Sequence, residues 1–273
     1  MTVYHQREPA WLEAVKDLRP GEKRRVEDGV LISFNGQSYL RYDFREKSAE
    51  VYQPTLSLAE RLEITRALRE AEQSALLDSR LPPLMIHPQD WPSEARVWLY
   101  RADVDNNEIQ ALGIGWWPAA RRVVTPLNML GGGKHWIARA LDTSLGQQKY
   151  LFPRGVGNPG AADFPAAPVT SQDEPIVLTE DWLSAYRVSR DTGVNAAALL
   201  GTSASRDTLV QVLRRHPRNI ITWLDPDEWG QRGARELRKK LLTLGAESVR
   251  NITSEHDPKL HTAEELRSYL KEV

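Results

Sequence analysis

Residues 219–228 read NIITWLDPDE. An apolar, β-branched run stops at an acid–proline–acid–acid sequence. That is the pattern of a buried strand ending in a turn that presents carboxylates. The same grammar recurs on both sides. Residues 176–179 (IVLT) form a predicted strand, followed by Glu180 and Asp181 and a helix over Trp182–Ser189. Asn195–Leu199 is a strand and Arg206–Arg215 a helix. After 219–224 comes a helix over Gly230–Leu244, ended by Gly245, then a strand at Ser248–Ile252 and a last helix at Thr262–Leu270. Four βα units within about 100 residues dictate a mostly parallel sheet with helices on both faces. Ligands of such sheets bind at the carboxyl ends of the strands.

Those carboxyl ends share a chemistry. The first strand ends in Thr179-Glu180-Asp181, the third in Asp225-Pro226-Asp227-Glu228, and the fourth is followed by His256-Asp257-Pro258. Loops are often acidic, but three coincident positions on one rim point to a purpose. Crowded carboxylates repel unless a cation sits among them, and hard oxygen ligands are what Mg²⁺ requires. Charge distribution points the same way. From Gly113 to Ala162 the bases Arg121, Arg122, Lys134, Arg139, Lys149 and Arg154 face a single acid, Asp142; from Asp163 to Ser184 there are five acids and no base. A positive surface beside an acidic pocket suits an enzyme holding a polyanion and a metal, although two solvated faces would give the same count.

Ahead of this part the chain divides into a small β unit (1–54), a linking helix (55–80) and a mixed antiparallel region (81–172), with the parallel sheet in 173–273. The β unit has three predicted strands, 29–34, 38–44 and 49–52, the first two joined at Asn35-Gly36. Ser57 and Glu60 form a capping box for a helix reaching Leu77. Strands are expected at 113–117, 121–127 and 134–140, a glycine turn at 131–133, and a loop or hinge at 155–175. The 273 residues carry 36 bases and 37 acids, net −1, so the chain is not uniformly basic. Cysteine is absent, which excludes disulfides, thiolate nucleophiles and Cys-ligated zinc. No apolar run reaches the ~18 residues of a membrane span, and the N-terminus lacks the apolar core of a secretory signal. Residues 131–135 (GGGKH) fail the P-loop pattern at Asn128 and His135, so no ATPase motor is expected. Of nine tryptophans, Trp11, Trp98 and Trp136 read as core, Trp182 and Trp229 as candidates for stacking bases. A zinc site from His256 and His261 alone is not expected.

Glu180 after the first strand, Asp225-Pro226-Asp227 after the third and the later Asp257-Pro258, on a βαβαβα order, resemble the TOPRIM signature of primases, topoisomerases and some nucleases. Residues 111–115 (ALGIG), Arg121-Arg122, residues 138–142 (ARALD) and Lys149 resemble the basic lobe of the phage primase core. Tyr42-Asp43-Phe44-Arg45-Glu46 resembles the last knuckle of the phage primase zinc ribbon, Tyr-Cys-Phe-Arg-Cys, with acids in place of both cysteines. The chain thus resembles a bacteriophage TOPRIM-type DNA primase, the primase half of primase-helicases. It departs from the family at Glu-Gly-x-x-Asp, which here is Glu180-Asp181-Trp182-Leu183-Ser184: a serine stands where an acid is usual, and Asp181 is placed to compensate.

The resemblance implies an α/β fold (α+β overall): a TOPRIM parallel sheet with flanking helices, a mixed antiparallel basic lobe before it and a degenerate zinc-ribbon-like unit at the start. It implies a nucleotidyltransferase, a DNA-directed RNA polymerase of the primase type, making short RNA primers in phage DNA replication with two Mg²⁺ or Mn²⁺ ions and no zinc. Expected metal ligands are Glu180, Asp225, Asp227 and Asp257, the first three catalytic. Arg122, Lys134, Arg139, Lys149 and Arg154 are expected to bind template or nucleotide, and Tyr39, Arg41 and Arg45 offer a further surface for template reading. Implied partners are single-stranded DNA, ribonucleoside triphosphates and a separate replicative helicase, with no membrane, in the cytoplasm of a bacterial host cell. Two alternatives stay open: a catalytically weak TOPRIM module that grips DNA or a helicase, favoured by Ser184 and the lost cysteines, and a TOPRIM nuclease.

Overall fold

The computed structural model describes residues 2–5, 7–19, 22–34, 38–52, 62–63, 65–68, 70, 81–143, 147–153, 160–166 and 174–271. It divides into two units, residues 1–125 with 136–155, and residues 126–135 with 156–273.

The first unit begins with a five-stranded sheet of β1 (Thr2–His5), β2 (Lys23–Glu27), β3 (Val30–Phe34), β4 (Tyr39–Asp43) and β5 (Ser48–Tyr52), in the order β1-β5-β4-β3-β2. The three expected strands are β3 to β5, with the Asn35-Gly36 turn outside the described residues. Two strands were not anticipated. β2 is an edge strand whose sequence, KRRVE, is charged rather than apolar; charges on an edge discourage further pairing. β1 pairs parallel to β5. One face of the sheet buries Ile32 and Tyr39 against Leu12, Val15 and Leu18, which the 3₁₀ helix Ala10–Val15 and the turn after it supply. The other face buries Leu40, Tyr42 and Ala49 against Val97. Glu50 gathers His5 Nε2 at 2.6 Å, Trp11 Nε1 at 3.0 Å and Arg41 Nη1 at 2.7 Å. Arg41 is therefore committed and Tyr39 is 8% exposed, so neither offers an open reading surface; Arg45 pairs with Asp28 on the exposed surface. Described residues between 62 and 70 are helical, with Leu68 buried and Arg66 paired with Glu70 at 2.9 Å; Ser57 and Glu60 lie outside the described residues.

Next come two helices, not among the expected elements: α1 (Ser93–Arg101) and α2 (Asn106–Ala111), the latter started by a capping box of Asp105 and Glu108. Strands β6 (Gly115–Trp117), β7 (Arg122–Asn128), β8 (Lys134–Ala140) and β9 (Tyr150–Leu151) form a four-stranded sheet in chain order; the first three match the expected runs, and two-residue β9 is too short to leave a pattern. Gly132 and Gly133 both have positive φ, 90° and 88°, in the expected glycine turn, which joins β7 to β8.

The second unit holds β10 (Ala162–Phe164), β11 (Ile176–Thr179), α3 (Trp182–Thr192), β12 (Asn195–Ala198), α4 (Arg206–Arg215), β13 (Asn219–Trp223), α5 (Glu228–Thr243), β14 (Ser248–Asn251) and α6 (Ala263–Lys271). The sheet runs β10-β12-β11-β13-β14, parallel except for β10, which pairs antiparallel with β12. Strand β10 lies inside the expected loop at 155–175; three residues, Ala-Asp-Phe, carry no periodicity to read. Every residue of β11 and β12 is buried, because helices cover the sheet, and this is why their sequences do not alternate. Ile176, Leu178, Ala197 and Ile220 pack with Leu209 and Val212 of α4 and Ala234, Leu237 and Leu241 of α5. No helix among the described residues is long and apolar enough to cross a membrane.

Candidate metal-binding and catalytic site

Register places the site. Thr179 of β11 lies beside Trp223 of β13, so Glu180-Asp181 and Leu224-Asp225 leave the sheet side by side. After β14 the chain is pinned back. Trp223 Nε1 donates to Ser254 Oγ at 2.8 Å, and Ser254 Oγ donates to the His256 carbonyl at 2.7 Å. Asp257 then enters a 3₁₀ turn, Pro258–Leu260. Asp181, Asp225 and Asp257 meet there, with one carboxylate oxygen from each within 4.8 Å of the others.

Each acid is held differently. Asp181 caps α3: Oδ1 accepts from the Leu183 and Ser184 amides at 2.9 and 3.2 Å, and Ser184 Oγ donates to Oδ2 at 3.0 Å. The serine found where an acid was expected thus serves the neighbouring aspartate. Asp227 caps α5 through Gly230 N at 2.7 Å. Gly230 is required here, since a Cβ on it would lie 2.2 Å from the Asp225 carbonyl oxygen. Asp225 Oδ1 is buried with no hydrogen-bond partner. Lys259 Nζ reaches both other acids, Asp181 Oδ2 at 2.7 Å and Asp257 Oδ2 at 2.5 Å.

Electrostatics follow from this layout. Burial, then repulsion from Asp225, Asp181 and Asp227, raises the Glu180 carboxyl to about 7. Burial also raises Asp225 to about 6; Lys259 pulls against it, and Asp257, Asp181 and Asp227 push further. Asp181 goes the other way: burial would raise it, but Lys259 and the Ser184 donors outweigh burial and hold it below its ordinary value. Burial opposes the charge on Lys259, yet Asp181 and Asp257 win and raise its pKa. Three carboxylates with an oxygen each close together, one of them on a residue that also carries a buried oxygen without a partner, are the donor set a hard divalent cation takes, so these residues fit Mg²⁺ or Mn²⁺.

Of the four expected ligands, Asp225 and Asp257 belong to the cluster, Asp181 completes it, and Glu180 and Asp227 stand on the same rim outside it. Lys259 was not anticipated; a lysine two residues after Asp257 gives no sign in the sequence that it folds back onto the rim. Among the expected basic contacts, Arg122 is corrected outright. It is fully buried and donates to the Ala138 carbonyl at 3.2 Å, in a stretch of β7 where both faces are covered and residues 122–125 are all buried. Lys134 and Lys149 are exposed. Arg139 is half-buried, its guanidinium 4.7 Å from the Trp98 ring centre and 2.6 Å from the Tyr150 hydroxyl. Arg154 lies outside the described residues. Trp182 is 2% exposed and belongs to the core, whereas Trp229, directly after Glu228, is 70% exposed. His261 is buried against Trp223 and Tyr269.

Residues 179–260 match the family described as Toprim-like. They form a TOPRIM-like domain. No curated protein matches the sequence significantly. Among solved structures, the Aquifex aeolicus primase (zinc-binding and RNA polymerase domains) matches at TM-score 0.55 and 15% identity, over 97% of this chain and 83% of that one. The DnaG primase catalytic domain bound to single-stranded DNA matches at TM-score 0.51 and 16% identity, over 79% and 80%. The Escherichia coli primase catalytic core gives TM-score 0.51 and 16% identity, over 77% and 78%. At these identities the likeness is one of fold: the TOPRIM-like domain sits in a chain folded like DnaG-type primase catalytic cores.

Proposed function

We propose that the chain is a DNA primase that joins ribonucleotides into short RNA primers on single-stranded DNA. One observation carries this reading: the cluster of Asp181, Asp225 and Asp257 lies on the carboxyl rim of a TOPRIM-like domain, within a chain folded like primase catalytic cores. The 3′-hydroxyl oxygen of one nucleotide attacks the α-phosphorus of the next; the bond to the β-phosphate oxygen breaks and pyrophosphate leaves. Asp225 and Asp257 would hold Mg²⁺ or Mn²⁺, which would supply charge stabilisation to the transferring phosphate when bound. Glu180, beside Asp225 on the rim, takes the hydroxyl proton. Asp227 shapes the rim by capping α5. Lys134 and Lys149 contact phosphate, Arg139 does so from a plane fixed by Trp98 and Tyr150, and exposed Trp229 stacks on a base. The phage attribution and the partnership with a separate replicative helicase rest on the sequence resemblance and the failed P-loop.

Purified full-length chain, single-stranded DNA, labelled ribonucleotides and Mg²⁺ or Mn²⁺ should yield short RNA products; folded protein that makes none overturns the reading. A second reading has its own support. Ser184 replaces an expected acid and Lys259 engages two clustered carboxylates, which favours a weakly catalytic module that grips DNA. Single-stranded DNA binding without synthesis would select it.

A further inference from the structure

The ammonium of Lys259 is a built feature of the rim. Its side chain is 16% exposed, as is that of Asp181, and Asp257 is 25% exposed. A lysine this far out of water needs its partners. Both ends of the contact are fixed independently. Arg187, 2% exposed and held by Asp191 at 2.6 Å, donates to the carbonyls of Lys259 at 3.1 Å and His261 at 2.9 Å, which sets the turn. Asp181 is fixed by its capping bonds to α3.

A two-ion site for phosphoryl chemistry distributes its carboxylates over two cations about 3.5–4 Å apart. Here two of the three clustered acids already share a cation, and Asp225 keeps the buried oxygen without a partner. We propose that Lys259 is a resident cation standing in for one of two divalent ions, so that the rim binds a single ion on its Asp225 side. This rests on the reading of the rim as a metal-dependent centre and replaces the two-ion form of that chemistry. An ammonium is a compact charge with three donors that cannot be washed out or exchanged. As a positioning residue it holds Asp181 and Asp257 in place at a fixed charge.

The test counts Mn²⁺ bound per full-length chain, by electron paramagnetic resonance and calorimetry, with no DNA or nucleotide present. One Mn²⁺ is expected in the natural chain, two in Lys259→Met, and one in Lys259→Arg, which keeps the charge. A natural chain binding two ions or none, or a folded Lys259→Met still binding one, overturns the proposal. If Lys259→Met does not fold, the count in the natural chain and in Lys259→Arg decides alone. Primer synthesis is not part of this measurement. A chain that binds one Mn²⁺ and makes no primer defeats the primase reading and leaves the role of Lys259 standing.

Discussion

Glu50 in the N-terminal sheet and Asp225 in the C-terminal one are both half-buried acids, and they meet opposite fates. Glu50 receives bonds from His5, Trp11 and Arg41; burial pushes its carboxyl up, but those partners outweigh it and leave it below its ordinary value. Asp225 keeps a buried oxygen with no partner and is pushed up to about 6. The difference separates an acid that stabilises from one that is kept ready. A satisfied acid contributes to the folded state, whereas an unsatisfied one costs stability until something from outside completes it.

The largest expected effect breaks the comparison on the Asp225 side. Asp225→Asn keeps shape and removes charge, and should reduce nucleotide transfer by about a thousandfold or more, the several kcal/mol a bound metal contributes. Circular dichroism should show an unchanged fold; near-normal transfer by the folded variant would remove Asp225 from the chemistry. On the other side, Ile32→Ala empties the core that holds the N-terminal sheet and should cost about 2–5 kcal/mol in denaturant unfolding. That sheet stands on packing rather than metal, so chelator should leave its unfolding unchanged and elemental analysis should find no stoichiometric zinc; one zinc per chain would reverse the assignment.

A pH series sharpens the contrast. Glu180 and Asp225 have folded-state values raised from 4.5 to about 7 and from 3.8 to about 6. A carboxyl raised on folding binds its proton more tightly in the folded state. Its contribution is therefore most favourable at low pH and is lost as pH rises through 6 and 7. Without divalent ion, the thermal midpoint should fall by a few degrees across that window, at about 2–4 °C per kcal/mol. Asp225→Asn should fall less, and Mg²⁺ should restore more stability above the window than below it. Glu50, shifted downward, keeps its contribution throughout the window and loses it only in acid. The smallest expected effect is Lys149→Ala, which should lower the salt slope of DNA binding by about 1. An unchanged slope would make Lys149 an ordinary solvated residue.

Much of the C-terminal sheet was legible because its helices leave amphipathic traces and its strands are continuous apolar runs. Helix α4 falls where the sequence placed it, at Arg206–Arg215. The acids on the rim were legible too, because topology alone brings Glu180, Asp225 and Asp257 to one edge. What escaped depended on surroundings rather than residue type. Arg122 was counted as surface charge, but both faces of β7 are covered at 122–125, so it is buried with its neighbours. Trp182 was a candidate for stacking on a base, but it is buried at the start of α3. Strand β2 escaped because an edge strand of KRRVE has the composition of a loop. Lys259 escaped because its contact with Asp181 spans 78 positions in the chain.

The grip of Arg187 on the turn has a consequence for the charge of the rim. It holds the carbonyl oxygens of residues 259 and 261, and every amino acid supplies a carbonyl. The path of the backbone is thereby uncoupled from the identity of the side chain at 259. Substitution at that position changes the charge delivered to the rim while the carbonyls of the turn stay held, so the rim's charge is set by one side chain; arginine keeps it, and an acid there would add a fourth carboxylate to a cluster that already repels itself.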